Sequence, residues 1–253
     1  MTTIAARRVV CLDTAGTIGD WVAFEDGRIL EVGRGDPPGP RVLSTDGVVL
    51  PGMIDAHVHL TTTGIYHSGL DLRECRSVES LLEIVERSVS KASSGWMIAG
   101  NFDPGRNADA RMPTASELDR ISTGKVLLVS RTDGHSCAVN SAGLSALGVA
   151  PDMPGFELDD KGQPTGVLSH RANYEARSRF FERLPDEEFA SAQRTGCRVA
   201  LQRGVTSVHE MAGGGEREMR VVMKNVGRYP IHVKPYLATM DFERVSGAHL
   251  DCI

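Results

Sequence analysis

The sequence has no long apolar run, no cluster of basic residues and no closely spaced pair of cysteines. Its apolar stretches are far shorter than the roughly 20 residues that cross a membrane, and its first residues lack the apolar core of a secretion signal. We therefore expect a cytoplasmic protein without a membrane partner.

The charge balance excludes another class of partner. The chain carries 28 Lys and Arg against 33 Asp and Glu, which gives a formal charge of −5. The basic residues form no block that could contact a row of phosphates, so nucleic acid is not an expected partner.

The five cysteines are odd in number, widely scattered and contain no CxxC motif. This spacing argues against a disulfide framework and against a metal site built from thiolates. We expect buried thiols rather than a catalytic cysteine.

The overall composition is that of a soluble globular protein, since 41% of the 253 residues are hydrophobic and 24% are charged.

Residues 1–50 have the pattern of strands. Asp26-Gly27, and again Asp46-Gly47, tolerate the backbone angles of tight hairpin turns, and residues 34–41 form a loop rich in Gly and Pro. We expect a small β module here.

From residue 48 on, strand-like apolar runs alternate with helix-like segments, a pattern typical of a parallel α/β fold. Ser77 is an expected helix cap, and Thr114 begins a second, short helix through a capping box with Glu117. The other predicted elements are strands at residues 48–54, 126–130, 205–209 and 231–237, helices at 186–202 and 216–226, and a loop or hairpin at 149–166.

The sharpest local feature is the segment PGMIDAHVH at residues 51–59. Alternate side chains of a strand share a face, so His57 and His59 are expected to point the same way and to ligate one metal ion. Asp55 has the same parity and is a candidate to accept a hydrogen bond in the site or to orient a neighbouring ligand.

This segment resembles the first-strand signature of the amidohydrolase superfamily. Further motifs follow in the order found in the branch related to N-substituted formamide deformylase. They are WMIAGNFD at residues 96–103, MPT at 112–114 with Leu118-Asp119, RTDGHS at 131–136 with Asn140-Ser141, and GVTSVHE at 204–210.

The resemblance implies an α/β fold of the (β/α)8 TIM-barrel type with a small β-sandwich module at residues 1–50. Residues 51–253 then form the first part of the barrel, with a long insertion at about residues 60–200. About four barrel strands are readable, and the resemblance places further ligating histidines and a catalytic aspartate on later strands. It therefore implies a chain about twice as long.

Two candidate residues follow the predicted strand at 126–130. His135 lies in a Gly-containing turn from which it could reach a substrate, and we take it as a candidate catalytic residue, the alternative being a loop or structural histidine. Asp133 is a candidate for substrate binding that either orients His135 or only forms the turn. Trp96, at the start of its motif, is a second candidate for substrate binding.

His209 ends the predicted strand at 205–209 and is the second catalytic candidate, acting by substrate contact or by metal ligation. His170 is left open between a site residue and a structural one. Lys234 lies on a late strand, and a carboxylated lysine bridges metals in many relatives, but its local match to that motif is poor and a lysine in this pattern more often faces solvent. The remaining histidines, expected to be structural or on the surface, are His67, His232 and His249.

Together these features predict a metal-dependent hydrolase of a non-peptide carbon–nitrogen bond in an N-acyl or N-formyl amide. A divalent metal, zinc as one or two ions, would lower the pKa of bound water so that metal-bound hydroxide attacks a small-molecule substrate. No general acid or base is identifiable. The alternative is a catalytically inactive remnant that binds metal or a partner, and an unpaired barrel edge predicts homo-oligomers or aggregation.

Overall fold

The computed structural model describes residues 1–40, 42–92, 94–212 and 215–237. The chain divides into two compact units, Met1–Met53 and Ile54–Ile253. Among the helices of the described ranges, none is long and apolar enough to cross a membrane.

The first unit contains a four-stranded sheet with the order β3-β2-β1-β4. Its strands are β1 (Thr2–Val10), β2 (Ile18–Glu25), β3 (Arg28–Gly33) and β4 (Val42–Val49). The antiparallel hairpin of β2 and β3 turns at Asp26 and Gly27, whose φ angles of 48° and 75° are those of a tight hairpin turn. The sequence prediction of this turn is confirmed.

Two predictions at the end of this unit are wrong. Asp46-Gly47 is not a turn, because β4 runs through it, and the register shifts there from Ala6 opposite Thr45 to Arg8 opposite Val48. The two residues therefore form a bulge in the strand. Residues 48–54 are not one strand either, since β4 ends at Val49 and the next strand begins at Met53. Pro51 lies between them and has no N–H for a sheet hydrogen bond.

The second unit contains a three-stranded sheet with the order β13-β12-β5. Its strands are β5 (Met53–Val58), β12 (Val205–Ala212) and β13 (His232–Leu237). β12 and β13 are parallel. In the described part of the chain three strands share this sheet rather than about four, because residues 126–130 belong to another sheet.

That other sheet lies between β5 and β12 in the sequence and has the order β10-β11-β9-β8-β7-β6. Pairing is parallel among β6, β7 and β8 and antiparallel among β8, β9, β11 and β10. The strands are β6 (Leu70–Asp71), β7 (Trp96–Phe102), β8 (Val126–Arg131), β9 (Ser136–Val139), β10 (Phe156–Leu158) and β11 (Pro164–Ser169).

β8 shows why this sheet is stable. Its first four residues, 126–129, are apolar without alternation because helices cover both faces of the sheet. Leu128 packs with residues of α5 (His170–Phe181) such as Phe180, whereas Leu127 and Val129 pack with residues of α2 (Val78–Val89) such as Val85. The helices of the second unit are α1 (Leu60–Ser68), α2 (Val78–Val89), α3 (Ala115–Ile121), α4 (Ser141–Leu147), α5 (His170–Phe181), α6 (Asp186–Leu201) and α7 (Gly215–Asn225), with a short 3-10 helix at Pro104–Arg106.

The predicted helix caps are confirmed. The Ser77 side chain accepts a hydrogen bond from the backbone of Ser80 and the Thr114 side chain accepts one from the backbone of Glu117, and both form complete capping boxes. Each cap satisfies backbone N–H groups that a helix start leaves without a partner. Gly204, after α6, has a left-handed φ of 76°.

α1 and α6 pack with their backbones in direct contact. A Cβ added at Gly64 would lie 1.7 Å from the carbonyl oxygen of Ala192, and one added at Gly196 would lie 2.5 Å from that of Leu60. Only glycine fits at these two positions. Because α1 directly follows β5 and α6 precedes β12, this contact holds together the two ends of the inserted segment.

Candidate functional site

The strand β5 brings two histidines together at its carboxyl end. The rings of His57 and His59 are 5.5 Å apart between centroids and perpendicular to each other, and both residues are exposed. Their spacing of two residues in a strand produces this arrangement. Two imidazoles in contact at a strand end can offer two nitrogen atoms to one ion.

The hydrogen bonds of this segment decide which nitrogen of His59 is free. Nδ1 of His59 lies 2.7 Å from the backbone carbonyl oxygen of Met211 on β12. A carbonyl oxygen only accepts, so Nδ1 donates and Nε2 keeps its lone pair for an external ligand. Asp55, in contrast, accepts a hydrogen bond of 3.1 Å from the backbone N–H of His57, so it supports the backbone rather than an imidazole ring.

Directly behind this strand end lies a carboxyl group that the sequence analysis did not single out. Glu210 is fully buried, and its side chain accepts hydrogen bonds from the backbone N–H groups of Leu60 and Thr61. Burial is the larger cause and repulsion from Glu218 the smaller one, and together they raise the pKa of Glu210 to about 8. One sequence signal could have identified Glu210. It lies two residues after Val208 and two before Ala212, and therefore on the buried face of β12.

The two histidines open onto a cavity of about 950 Å³. This volume is at the upper end of the range of small-molecule sites. Residues from β5, α1, the turn after β8, and α5 line it, so the three-stranded sheet and the inserted sheet both contribute. Its histidines are His57, His59, His67, His135 and His170.

Two of these histidines line the cavity although the sequence did not assign them to the site. His67, expected to be structural or on the surface, lies in the last turn of α1 and lines the cavity. His170, which was left open, begins α5 and lines it too. Its φ of 45° is in the left-handed region, an unfavourable conformation for a residue with a Cβ.

His135 lies at the rim of the cavity, and its side chain is 90% exposed. The carboxylate of Asp133 accepts a hydrogen bond of 2.9 Å from the backbone N–H of His135. The ring Nδ1 of His135 is 4.0 Å from the same carboxylate, which is too long for a hydrogen bond. Asp133 therefore forms the turn and pairs with Arg131, and it does not orient the imidazole by a direct hydrogen bond.

The cavity is also lined by cations and amides that were not predicted from the sequence. Arg73 pairs with Asp71 at 2.8 Å, and Asn101 donates to the same carboxylate at 3.0 Å. Burial opposes ionisation of Asp71, but the hydrogen bonds from Asn101 and Arg73 prevail and lower its pKa. Asn173 and Arg177, four residues apart on α5, also line the cavity.

The structure does not bring two other candidates to this cavity. Trp96 begins β7 and packs against Phe180, with 5.6 Å between ring centroids, so its contacts are those of a core residue. His209 lines a second cavity of about 760 Å³ and lies 5.3 Å from the ring of Tyr236. Lys234 lines that second cavity as well, with its ammonium group over the Tyr236 ring.

The donor set of the first cavity fits part of a metal site. Within residues 1–40, 42–92, 94–212 and 215–237, no three His, Cys, Asp or Glu side chains are close enough to hold one ion together. His57 and His59 supply two nitrogen ligands, whereas a catalytic zinc site generally has three protein ligands.

The comparison with protein families agrees with this arrangement. Residues 45–246 match the model of the amidohydrolase family. The chain belongs to the amidohydrolase family. The predicted family membership is confirmed.

Two relatives of this amidohydrolase chain share about 30% sequence identity with it. It is 31% identical over 217 residues to the protein LONG AFTER FAR-RED 3 of Arabidopsis thaliana, covering 79% of this chain and 36% of the relative. It is 30% identical over 184 residues to N-substituted formamide deformylase of Arthrobacter pascens, covering 67% and 34%. The chain thus spans about a third of the length of these relatives.

A solved structure supports the fold. An uncharacterised metal-dependent hydrolase from Pyrococcus horikoshii OT3 superposes with a TM-score of 0.70 at 21% identity, covering 93% of this chain and 48% of that one. The amidohydrolase chain therefore has the mixed α/β fold of about half of that hydrolase.

Proposed function

We propose that the full-length protein is a metal-dependent hydrolase that cleaves the carbon–nitrogen bond of a non-peptide amide. The observation that carries this proposal is the pair of adjacent imidazoles at the end of β5, facing a cavity of small-molecule size. Two exposed imidazoles side by side add little to packing, but they are well suited to ligate a metal.

His57 and His59 would hold the metal, with the remaining ligands supplied by the rest of the full-length protein. When bound there, a divalent cation, which we propose to be zinc, would supply Lewis acidity, polarising an amide carbonyl and lowering the pKa of a water molecule. The hydrogen bond from Nδ1 of His59 to Met211 fixes the ring with Nε2 available. Asp55 fixes the backbone of His57, which limits the movement of the strand end.

The same cavity offers groups for the proton transfer that amide cleavage requires. An imidazole that titrates near neutral pH can give a proton to the leaving nitrogen, which otherwise departs as a poor leaving group. His135 is exposed at the rim, and we propose it for this role. His209 stays a prediction of the sequence, because it lines the other cavity.

For the fold of the full-length protein we propose a (β/α)8 barrel that begins with β5, β12 and β13. The support is the order of these strands in one sheet and the helix α7 between the parallel strands β12 and β13. For the substrate we propose an N-acyl or N-formyl amide. The support is the similarity to a relative named N-substituted formamide deformylase.

The test uses the full-length protein with N-formyl-phenethylamine and measures amine release. Chelation of metal should abolish the reaction and added Zn²⁺ should restore it. His57→Ala should reduce kcat/KM at least about 100-fold, more than removal of a group that only supports a ligand. His232→Ala, which changes a histidine outside the cavity, is the control and should retain activity. Unchanged turnover in His57→Ala would refute the proposal.

A further inference from the structure

One cation that lines the cavity, Arg177, has no carboxylate partner among the residues that the structure describes. Nη1 of Arg177 donates to the hydroxyl oxygens of Tyr66 at 2.9 Å and Ser130 at 2.5 Å, and both of these groups are neutral. In the described part of the chain Arg177 forms no ion pair, whereas Arg73, which also lines the cavity, is paired with Asp71. No carboxylate of the described residues therefore neutralises the positive charge of Arg177.

The position of this guanidinium is closely defined. The ring of Tyr66 lies against Gly100, where an added Cβ would be 2.3 Å from the ring, and the guanidinium carbon of Arg177 is 5.7 Å from the centre of the Phe181 ring. Only Nη1 has partners among the described residues, so the N–H groups of Nε and Nη2 stay available. Such a planar pair of donors matches the two oxygens of a carboxylate.

A second polar side chain that lines the cavity, Asn173, has an acceptor atom without a partner among the described residues. Asn173 is only 6% exposed and lies four residues before Arg177, on the same face of α5. Its Nδ2 donates to the carbonyl oxygen of Gly134 at 2.9 Å, and its buried Oδ1 accepts no hydrogen bond from the described residues. A buried acceptor without a donor is unfavourable, and the N–H of a bound amide would satisfy it.

We propose that the substrate carries a carboxylate next to its amide, as an acylated amino acid does. Arg177 binds the carboxylate, Asn173 accepts the hydrogen bond of the amide N–H, and the carbonyl group faces His57 and His59 across the cavity. The inference rests on the proposed function and names its substrate class.

Binding to the metal-free full-length protein tests this without any catalytic step. N-formyl-phenylalanine and N-formyl-phenethylamine differ by the carboxylate alone, and titration calorimetry measures the affinity for each. At pH 8, where an ordinary imidazole is neutral, the acid should bind at least about 10-fold more tightly than the neutral amide, as a hydrogen-bonded charge pair implies. Equal affinity for the two compounds would overturn the proposal.

Variants separate the two contacts. Arg177→Met should remove the preference for the acid and leave the affinity for the neutral amide unchanged. Asn173→Leu should weaken both compounds alike, by about 5-fold, since both have an amide N–H. Arg171→Met makes the same charge change at an exposed position of α5 and should retain the preference.

The remaining outcomes are also decisive. Arg177→Lys keeps the charge but not the planar pair of donors, so its preference should be intermediate, and thermal melting establishes that each variant is folded. A preference for the acid that persists in folded Arg177→Met contradicts the proposal. If the protein binds the acid more tightly than the neutral amide but hydrolyses no amide, the proposed function is refuted and the inference about the carboxylate is not.

Discussion

The contact between α1 and α6 predicts a large effect from adding a single carbon atom. Replacement of Gly64 by Ala places a Cβ 1.7 Å from the carbonyl oxygen of Ala192, whereas ordinary contacts begin at 3.4 Å. The obstacle is backbone and not a side chain that can rotate. The two helices must therefore separate by about 1.7 Å, which breaks the packing on both sides of Gly64.

The change in the free energy of unfolding caused by Gly64→Ala is the balance of two opposing effects. Overpacking against an unyielding neighbour lowers the free energy of unfolding by up to about 3 kcal/mol, whereas alanine in a helix contributes about 1 kcal/mol more than glycine. The net loss is about 2 kcal/mol, which lowers the Tm of a domain of this size by about 4–8 °C.

Thermal unfolding followed by circular dichroism measures this change in the full-length protein. Gly95→Ala is the matched control, since a Cβ at Gly95 meets no atom within 4 Å, and its Tm should stay within about 1 °C of wild type, as surface substitutions usually do. A Gly64→Ala protein with an unchanged or higher Tm would refute the close packing of α1 and α6.

Three further predictions concern stability and thiol chemistry. Because the pKa of Glu210 is raised in the folded state, the folded protein binds more protons than the unfolded one between pH 4.5 and about 8, and stability falls as pH rises through this window. Glu210→Gln should flatten this fall in denaturant titrations of metal-free protein, and an equally steep fall in the variant contradicts the assignment. Thr114→Ala removes a helix cap and should lower the free energy of unfolding by about 1 kcal/mol in the same titrations, whereas no change would mean that water replaces the cap. Burial raises the pKa of Cys137 to about 12 and that of Cys197 to about 11, so with a thiol reagent at pH 8 both should react only after unfolding, which peptide mapping detects. Labelling of either residue in the native protein as fast as partly exposed Cys11 would show that it is not buried.

Local sequence signals predicted much of the fold. The turn at Asp26-Gly27 and the caps at Ser77 and Thr114 depend on neighbours within a few residues, so the sequence specifies them directly. α5 was not predicted, because only its last turn buries large apolar residues, Phe180 and Phe181, whereas its first two turns bury Ala172, Asn173 and Ala176. Its periodicity becomes visible only once the sheet that it covers is known.

The candidate site likewise contains residues that local sequence predicts and residues that it does not. The contact between His57 and His59 follows from the parity of one strand, and the sequence predicted it. His67 reaches the cavity from α1, and His170 and Arg177 reach it from α5, and these two helices are far apart in the chain. Only tertiary packing brings these residues together, so no spacing in the sequence could reveal them.

The long separation between β5 and β12 has a consequence for how the protein forms. The two strands are neighbours in the sheet, yet residues 59–204 separate them in the sequence. Pairing of distant segments is slow, so the inserted sheet, whose strands mostly pair close in sequence, is expected to form first. On the ribosome, at about 5–20 residues per second, β5 emerges roughly 7–30 s before β12. The strand with the two adjacent imidazoles is thus synthesised well before its partner and is among the last to pair.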